Sequence, residues 1–349
     1  MTVHILTLPH TDIDPTWSTC AFTQKIRHLV TMLESEGIPT IVYGSDTYSH
    51  NGGHNVIYTH DDRKRWFGEE DYRDKVFDVW DANAPCWWEL NVRSADAIRK
   101  AAQPGDVIHL SMGYAHKAVA TAIPHIRSAE LGIGYEASFS DFRVFESYAW
   151  MHHTYGRQNI HDGRFYDAVI PNAFDPDQFA MGPDNGYLLF LGRLTPRKGL
   201  KVIEEIAKNY KVISAGQGDE TIPGVEHLGV VGPQARKELL SDATALLCPT
   251  SYIEPFGGVA VEAQMSGIPV ITVDWGAFTE TVETGITGYK CFNLSGFLAA
   301  CELAPILREK NGEYIRAKAM ERWSLDAVAP LYRTYLNRLA TLDQEGWYA

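Results

Sequence analysis

The 349-residue chain lacks any apolar run near the roughly eighteen residues of a membrane-spanning helix. It also lacks a basic leader and a small-residue cleavage site around its first apolar run, residues 3–8, which therefore reads as a buried strand. These absences predict a soluble, cytoplasmic protein with no transmembrane segment. Positive charge is scarce as well: 31 Lys and Arg stand against 44 Asp and Glu, a formal net charge of -13. A surface of that sign repels a phosphate polymer, so no nucleic-acid partner is expected. Cysteine is sparse, with Cys20, Cys86, Cys248, Cys291 and Cys301 odd in number, scattered, and nowhere in a C-x-x-C pair. That pattern excludes a disulfide framework and a structural zinc site and leaves buried thiols. No fixed short repeat and no low-complexity tract is present.

The apolar and charged fractions, 45% and 21%, exclude wholesale disorder, and the length suits two compact units. β-rich runs alternate with segments of helical periodicity, the order of parallel sheets covered by helices, so the fold class is α/β. Residues 3–8 and 40–43 read as strands flanking a helix over 20–36, whose Phe22, Ile26, Leu29, Val30 and Leu33 recur at helical spacing and which Gly37 stops. Further strands are predicted at 107–110, 131–135 and 167–171. The pattern then restarts with nearly continuous apolar runs at 187–192, 211–216, 245–250 and 270–273, as expected of strands buried on both faces. Turn formers crowd residues 172–186, which places the interdomain linker there. The glycine-rich stretch 51–54 follows no convincing strand and reads as a loop. Ser324 stands where it can cap a terminal helix with Val328, Leu331, Tyr332, Tyr335, Leu336 and Leu339 in one stripe; Pro330 either kinks that helix or marks its first turn.

Two constellations carry chemistry. In the first, a strand feeds Gly192-Arg193, and Arg197-Lys198-Gly199 precedes a helical stretch. Free amides and the positive helix end favour an anion there, and Arg193 and Lys198 add full charges. Arginine grips two phosphate oxygens while lysine acts as a point charge; taken alone, such a turn is equally a solvated basic loop. In the second, Glu254-Pro255-Phe256-Gly257-Gly258 leads into a helical run holding Glu262. Glycines again open a helix beyond a strand, at the end of the sheet where open α/β folds bind ligands. Eight positions of helix span about 12 Å, so the two glutamates cannot serve one bond and must touch different parts of a long ligand. A carboxylate in so apolar a helix needs partners, and a ribose offers two hydroxyls. The plainer alternative has Glu262 facing solvent and Glu254 capping the helix.

Together these residues resemble the retaining family 4 glycosyltransferases of GT-B fold, the glycosyl transferases group 1. Supporting pieces are Val169-Ile-Pro-Asn172-Ala-Phe-Asp175, Gly276-Ala-Phe-Thr-Glu280 and Gly285-Ile-Thr-Gly288-Tyr289, and the likeness covers roughly 169–289. It implies two Rossmann-like domains facing a central cleft: 1–175 for the acceptor, 176–325 for the nucleotide sugar, and 326–349 as a helix returning to the first. It implies that Arg193 and Lys198 hold the donor diphosphate and that Glu262 binds the ribose. Glu254, with the backbone of Phe256, Gly257 and Gly258, would cradle the donor sugar, while Gly192, Gly216 and Val231 would wall the nucleotide. Arg193, Lys198 and Glu254 are then the catalytic set.

The chain departs from that pattern in its first half. The loop after the first strand has no glycine, so Ser18 or Thr19 would have to meet the phosphates through a hydroxyl or helix-start amides. Where many members place a histidine, this chain offers Glu136, a candidate for contacting donor sugar or acceptor. The implied reaction moves a sugar from a nucleoside diphosphate, such as a UDP- or GDP-sugar, to an acceptor hydroxyl with retention, without a metal or other cofactor. The partners are thus a nucleotide sugar and a carbohydrate or small-molecule acceptor. A nucleotide-sugar epimerase and a catalytically silent sugar-nucleotide binding protein are the alternatives.

Other features weigh less. Thirteen histidines, nearest one another at His109, His116, His152, His153 and His161, match no ligand spacing, and no metal site is expected. In residues 58–88, charge crowds 61–65 and 69–75, while Trp66, Trp80, Trp87 and Trp88 offer faces for an acceptor sugar or for core packing.

Overall fold

The structure, a computed structural model, describes residues 1–17, 20–69 and 81–346. The chain divides into two compact units: 1–146, 154–173 and 325–349 form the first, and 147–153 with 174–324 form the second.

The first unit holds β1 (Val3–Leu6), α1 (Ala21–Ser35), β2 (Thr40–Ser45), β3 (Gly53–Tyr58), α2 (His60–Phe67), α3 (Pro85–Ala101), β4 (Val107–His109), α4 (Lys117–Ala122), β5 (Arg127–Ile133) and β6 (Phe142–Phe145). α5 (Tyr148–Arg157), which belongs to the second unit up to His153 and to the first from Thr154, and β7 (Asp167–Val169) follow. The sheet is parallel throughout in the order β3-β2-β1-β4-β5-β6-β7. Each residue of β1 is buried, as a strand covered on both faces requires. α1 buries Ile26, Leu29, Val30 and Leu33, the stripe set by its 3.6-residue period.

Two local expectations are corrected and a third is narrowed. The 51–54 stretch is not wholly loop, because Gly53 begins β3 and pairs in parallel with Ile41. Close approach explains it, since a Cβ on Gly52 would lie 2.1 Å from the Thr40 hydroxyl oxygen. The strand expected at 131–135 begins at Arg127 and ends at Ile133, because positive φ at Gly132 shifts the register there. Of the two alternatives for Pro330 the first turn is excluded, because it is the sixth residue of α11 (Leu325–Glu345) and lies inside the helix.

The second unit holds β8 (Leu188–Leu191), α6 (Leu200–Ala207), β9 (Val212–Ala215), β10 (Val225–His227), α7 (Pro233–Asp242), β11 (Ala245–Cys248), α8 (Gly258–Met265), β12 (Val270–Val273), α9 (Phe278–Thr281), β13 (Gly288–Cys291) and α10 (Leu294–Trp323). Its parallel sheet runs β10-β9-β8-β11-β12-β13. Every residue of β8, β9, β11 and β12 is buried, so the near-continuous apolar runs lie between two helical layers. From β8 the chain moves outward to β9 and β10, then returns to the other side of β8 at β11. Between β8 and β11 the strand order reverses, and the crevice beyond their carboxyl ends is where an open α/β sheet receives a ligand.

Candidate functional site

The loops beyond the carboxyl ends of β8–β12 are joined one to the next in the order of the strands. Gly216 N donates to Gly229 O at 2.8 Å, and Leu194 N donates to Gln217 O at 2.7 Å. Ser251 N donates to Arg197 O at 2.9 Å, and Ala277 N donates to Glu254 O at 3.0 Å. Glycine permits this closeness: at Gly216, with φ of +146°, a Cβ would lie 2.0 Å from Gly192 O. The donor-site expectations at Gly192, Gly216 and Val231 thus fall on neighbouring loops, Val231 lying just past β10.

At the switch point the basic turn meets the acidic loop. Lys198 Nζ donates to Glu254 Oε2 at 3.1 Å, with both side chains mostly buried. Burial opposes the lysine's charge, but the Glu254 carboxylate and Tyr252 outweigh it and raise its pKa above the ordinary value. Tyr252 lies beneath both cations, its ring 4.4 Å from the Arg197 guanidinium and 4.9 Å from Lys198 Nζ. Burial, followed by the Glu254 carboxylate, pushes the Tyr252 hydroxyl up to about 12. Arg193, by contrast, is exposed. A fixed lysine beside an extended arginine suits a diphosphate, one charge held in place and the other able to fold over it.

The Glu254–Gly258 loop is stiff. Phe256 is buried and stacked near Phe174 with ring centroids 6.2 Å apart. Gly257 adopts a left-handed φ of +75°, and a Cβ there would lie 2.6 Å from the Phe278 ring. Only from Gly258 is the chain helical, so the Glu254-to-Glu262 path is part loop and part helix. Glu254 does not cap α8, whose N-cap has no side-chain hydrogen bond; its carboxylate is taken by Lys198. Nor does Glu262 simply face solvent. Arg236 on α7 donates to its Oε2 through Nε at 2.8 Å and through Nη2.

Glu136 sits on the surface of the first unit, paired with Arg157 at 3.1 Å, both more than half exposed. Ser18 and Thr19 lie outside the described residues. Among the tryptophans, Trp87 is core, Trp66 is half-buried, Trp88 is exposed, and Trp80 lies outside the described residues. Lys25, His109 and Tyr332 line a small cavity in the first unit. Its lysine pairs with Glu146, as Lys198 does with Glu254, but the second unit's loop adds the exposed Arg193 and Arg197 beside its lysine. Sequence reasoning missed Tyr252 and Arg236. An aromatic two residues before Glu254 was a usable signal, whereas Arg236 lies 26 positions from Glu262 with nothing local to connect them.

Residues 172–295 match the family described as glycosyl transferases group 1. An uncharacterized glycosyltransferase of Methanocaldococcus jannaschii is 35% identical over 123 residues, 30% of this chain and 31% of that protein. The phosphatidyl-myo-inositol mannosyltransferase of Mycobacterium leprae is 28% identical over 207 residues, 50% of this chain and 54% of that protein. The chain thus spans about half, or less, of the length of the curated relatives it matches. The solved structure of Anabaena HepE in complex with UDP and glucose superposes with a TM-score of 0.68 at 15% identity, over 96% of this chain and 99% of that one. No helix among the described residues is long and apolar enough to cross a membrane. Residues 172–295 thus resemble a group 1 glycosyltransferase domain, and the α/β fold around them is of the GT-B kind.

Proposed function

We propose that the protein transfers a sugar from a nucleoside diphosphate sugar to an acceptor hydroxyl with retention at the anomeric carbon, and needs no metal ion. The observation that carries this reading is the meeting of Lys198 with Glu254 at the switch point of the second sheet, with Arg193 exposed in the same loop. The diphosphate lies against Arg193, Lys198 and the loop amides, the ribose against Glu262, and the sugar against Glu254 and the Phe256–Gly258 backbone. As the anomeric carbon–oxygen bond breaks, negative charge grows on the departing diphosphate, and the two cations stabilise it in place of a divalent ion. A departing phosphate oxygen takes the acceptor's proton on the face where the new bond forms. No separate base is then required.

A thermal-shift panel of UDP, GDP, ADP and their glucose conjugates tests the donor site, because a ligand held only by the folded state raises its stability. A rise with one base supports the reading, and no rise with any overturns it. Turnover with that donor and a set of acceptor hydroxyls, in EDTA, separates transfer from epimerisation and from silent binding. The anomeric configuration of the product, read by NMR, decides retention.

A further inference from the structure

The donor loop is fastened from outside by groups that the proposed chemistry does not use. α5 is a ten-residue helix whose first turn, in the second unit, leaves amides in need of acceptors. Tyr148 N donates to Glu280 Oε2 at 3.0 Å and Ala149 N to Glu280 Oε1 at 2.7 Å. Trp150 N donates to Ser147 Oγ at 3.0 Å. One carboxylate and one hydroxyl therefore cap the helix, and the negative charge suits its positive end.

The hydroxyl cap also reaches the donor loop, and the carboxylate cap stands three residues beyond one that does. The Ser147 hydroxyl, 2% exposed as a residue, donates its hydrogen to Pro255 O at 2.6 Å. Glu280 lies in α9, just after Ala277, whose amide holds Glu254 O. The carbonyls of Glu254 and Pro255 are thus each bound, one by Ala277 and one by Ser147. Pro255 has no amide hydrogen, so its peptide with Glu254 can be anchored only through the Glu254 carbonyl. Gly276 closes the arrangement, since a Cβ there would lie 2.7 Å from Glu254 N.

We infer that Ser147 and Glu280 are positioning residues for the donor sugar: through the Glu254–Phe256 backbone they fix the loop that faces the sugar, while diphosphate and ribose are held mainly by the side chains of Arg193, Lys198 and Glu262, with Lys198 also paired to the loop's Glu254. This rests on the sugar-transfer reading above. Loss of the Ser147 hydroxyl leaves Pro255 O without its partner and frees the loop by a fraction of an ångström. Misplacement on that scale lowers turnover steeply without removing a binding group.

The test compares wild type, Ser147→Ala, Ser147→Thr and Glu280→Gln. Each is melted alone, with UDP, GDP or ADP, and with the matching glucose conjugate, and kcat and KM are then measured for the donor that binds. Ser147→Ala is expected to keep the wild-type shift with the nucleoside diphosphate, lose the extra shift given by the sugar, and fall about tenfold or more in kcat. Ser147→Thr, which keeps the hydroxyl, is expected to restore both, and Glu280→Gln to behave as a milder Ser147→Ala. A Ser147→Ala that merely melts lower, with sugar discrimination and kcat unchanged, overturns the inference. So does a Ser147→Ala that loses the diphosphate and its conjugate in equal measure. If Ser147→Ala does not fold, Glu280→Gln carries the test by the same criteria. A wild type that responds to none of the nucleotides overturns the sugar-transfer reading and this inference together. A responsive wild type matched by its variants overturns this inference alone.

Discussion

Each unit begins its parallel sheet with a strand whose following loop opens at a reversal of strand order, yet the loops after β1 and β8 do opposite things. After β1 the chain turns inward. His10, Thr11, Asp12 and Ile13 are buried, the Tyr58 hydroxyl lies within hydrogen-bonding distance of the carbonyls of Leu8 and Thr11, at 2.6 and 2.7 Å, and Asp12 pairs with Arg63 at 2.7 Å. After β8 the chain turns outward, exposing Arg193 and Arg197 and fixing Lys198 beside Glu254. Sheet topology provides a place for a ligand in both units; among the described residues, the loop after β8 presents exposed cations there and the loop after β1 does not. A shared architecture does not imply shared chemistry.

The comparison predicts opposite phenotypes from the two loops. Asp12→Ala leaves Arg63 uncompensated in a mostly buried position and should destabilise the protein by about 3 kcal/mol in denaturant melts. Its affinity for nucleoside diphosphate should stay unchanged, and a loss of binding there would break the contrast. Lys198→Ala strips Glu254 of its partner and should cost some stability too, but its main effect should be on turnover: a folded protein with kcat reduced about a hundredfold or more. Wild-type turnover in this variant would remove Lys198 from the site. Glu262→Ala is expected to weaken nucleoside diphosphate binding about tenfold in calorimetry, the scale of a charged hydrogen bond, with a smaller effect on kcat.

Acid should separate the units more gently. Burial holds three histidines of the first unit neutral, with His10 and His116 lowered to about 3 and His109 to about 4. Their unfolded forms protonate near 6.5, so below that pH the unfolded state binds more protons and stability falls. The contribution is whole above pH 6.5 and drains toward about pH 4 for His109 and about pH 3 for His10 and His116, at a limiting slope of about 1.4 kcal/mol per histidine per pH unit. Hydrogen exchange at pH 5 should show the first unit loosening ahead of the second. His116→Gln, which keeps a polar group near Asn91, should flatten the slope in proportion.

Much of this was legible in the chain. The apolar runs that became β8, β9, β11 and β12 are buried on both faces, so composition alone marks them as parallel strands. The glycines and charges around Arg193, Lys198, Glu254 and Glu262 mark the loops between those strands. Short edge strands were harder to read: β3 carries only Ile57 and Tyr58 as buried residues, too few for a period-2 signal. Pairings across the fold were not legible at all. Arg236 with Glu262, and Ser147 with Pro255, join residues 26 and 108 positions apart, and no local pattern encodes such a meeting. The plainer alternative for Glu254, a helix cap, fails because the lysine 56 positions earlier takes the carboxylate.

The measurement that tests the central claim most directly is a crystal structure with the nucleoside diphosphate that gives the largest thermal shift. The account predicts the diphosphate at the carboxyl ends of β8 and β11, with Arg193 and Lys198 each about 3 Å from a phosphate oxygen and Glu262 on the ribose hydroxyls. A diphosphate bound in the loop after β1, or held by neither cation, would contradict it.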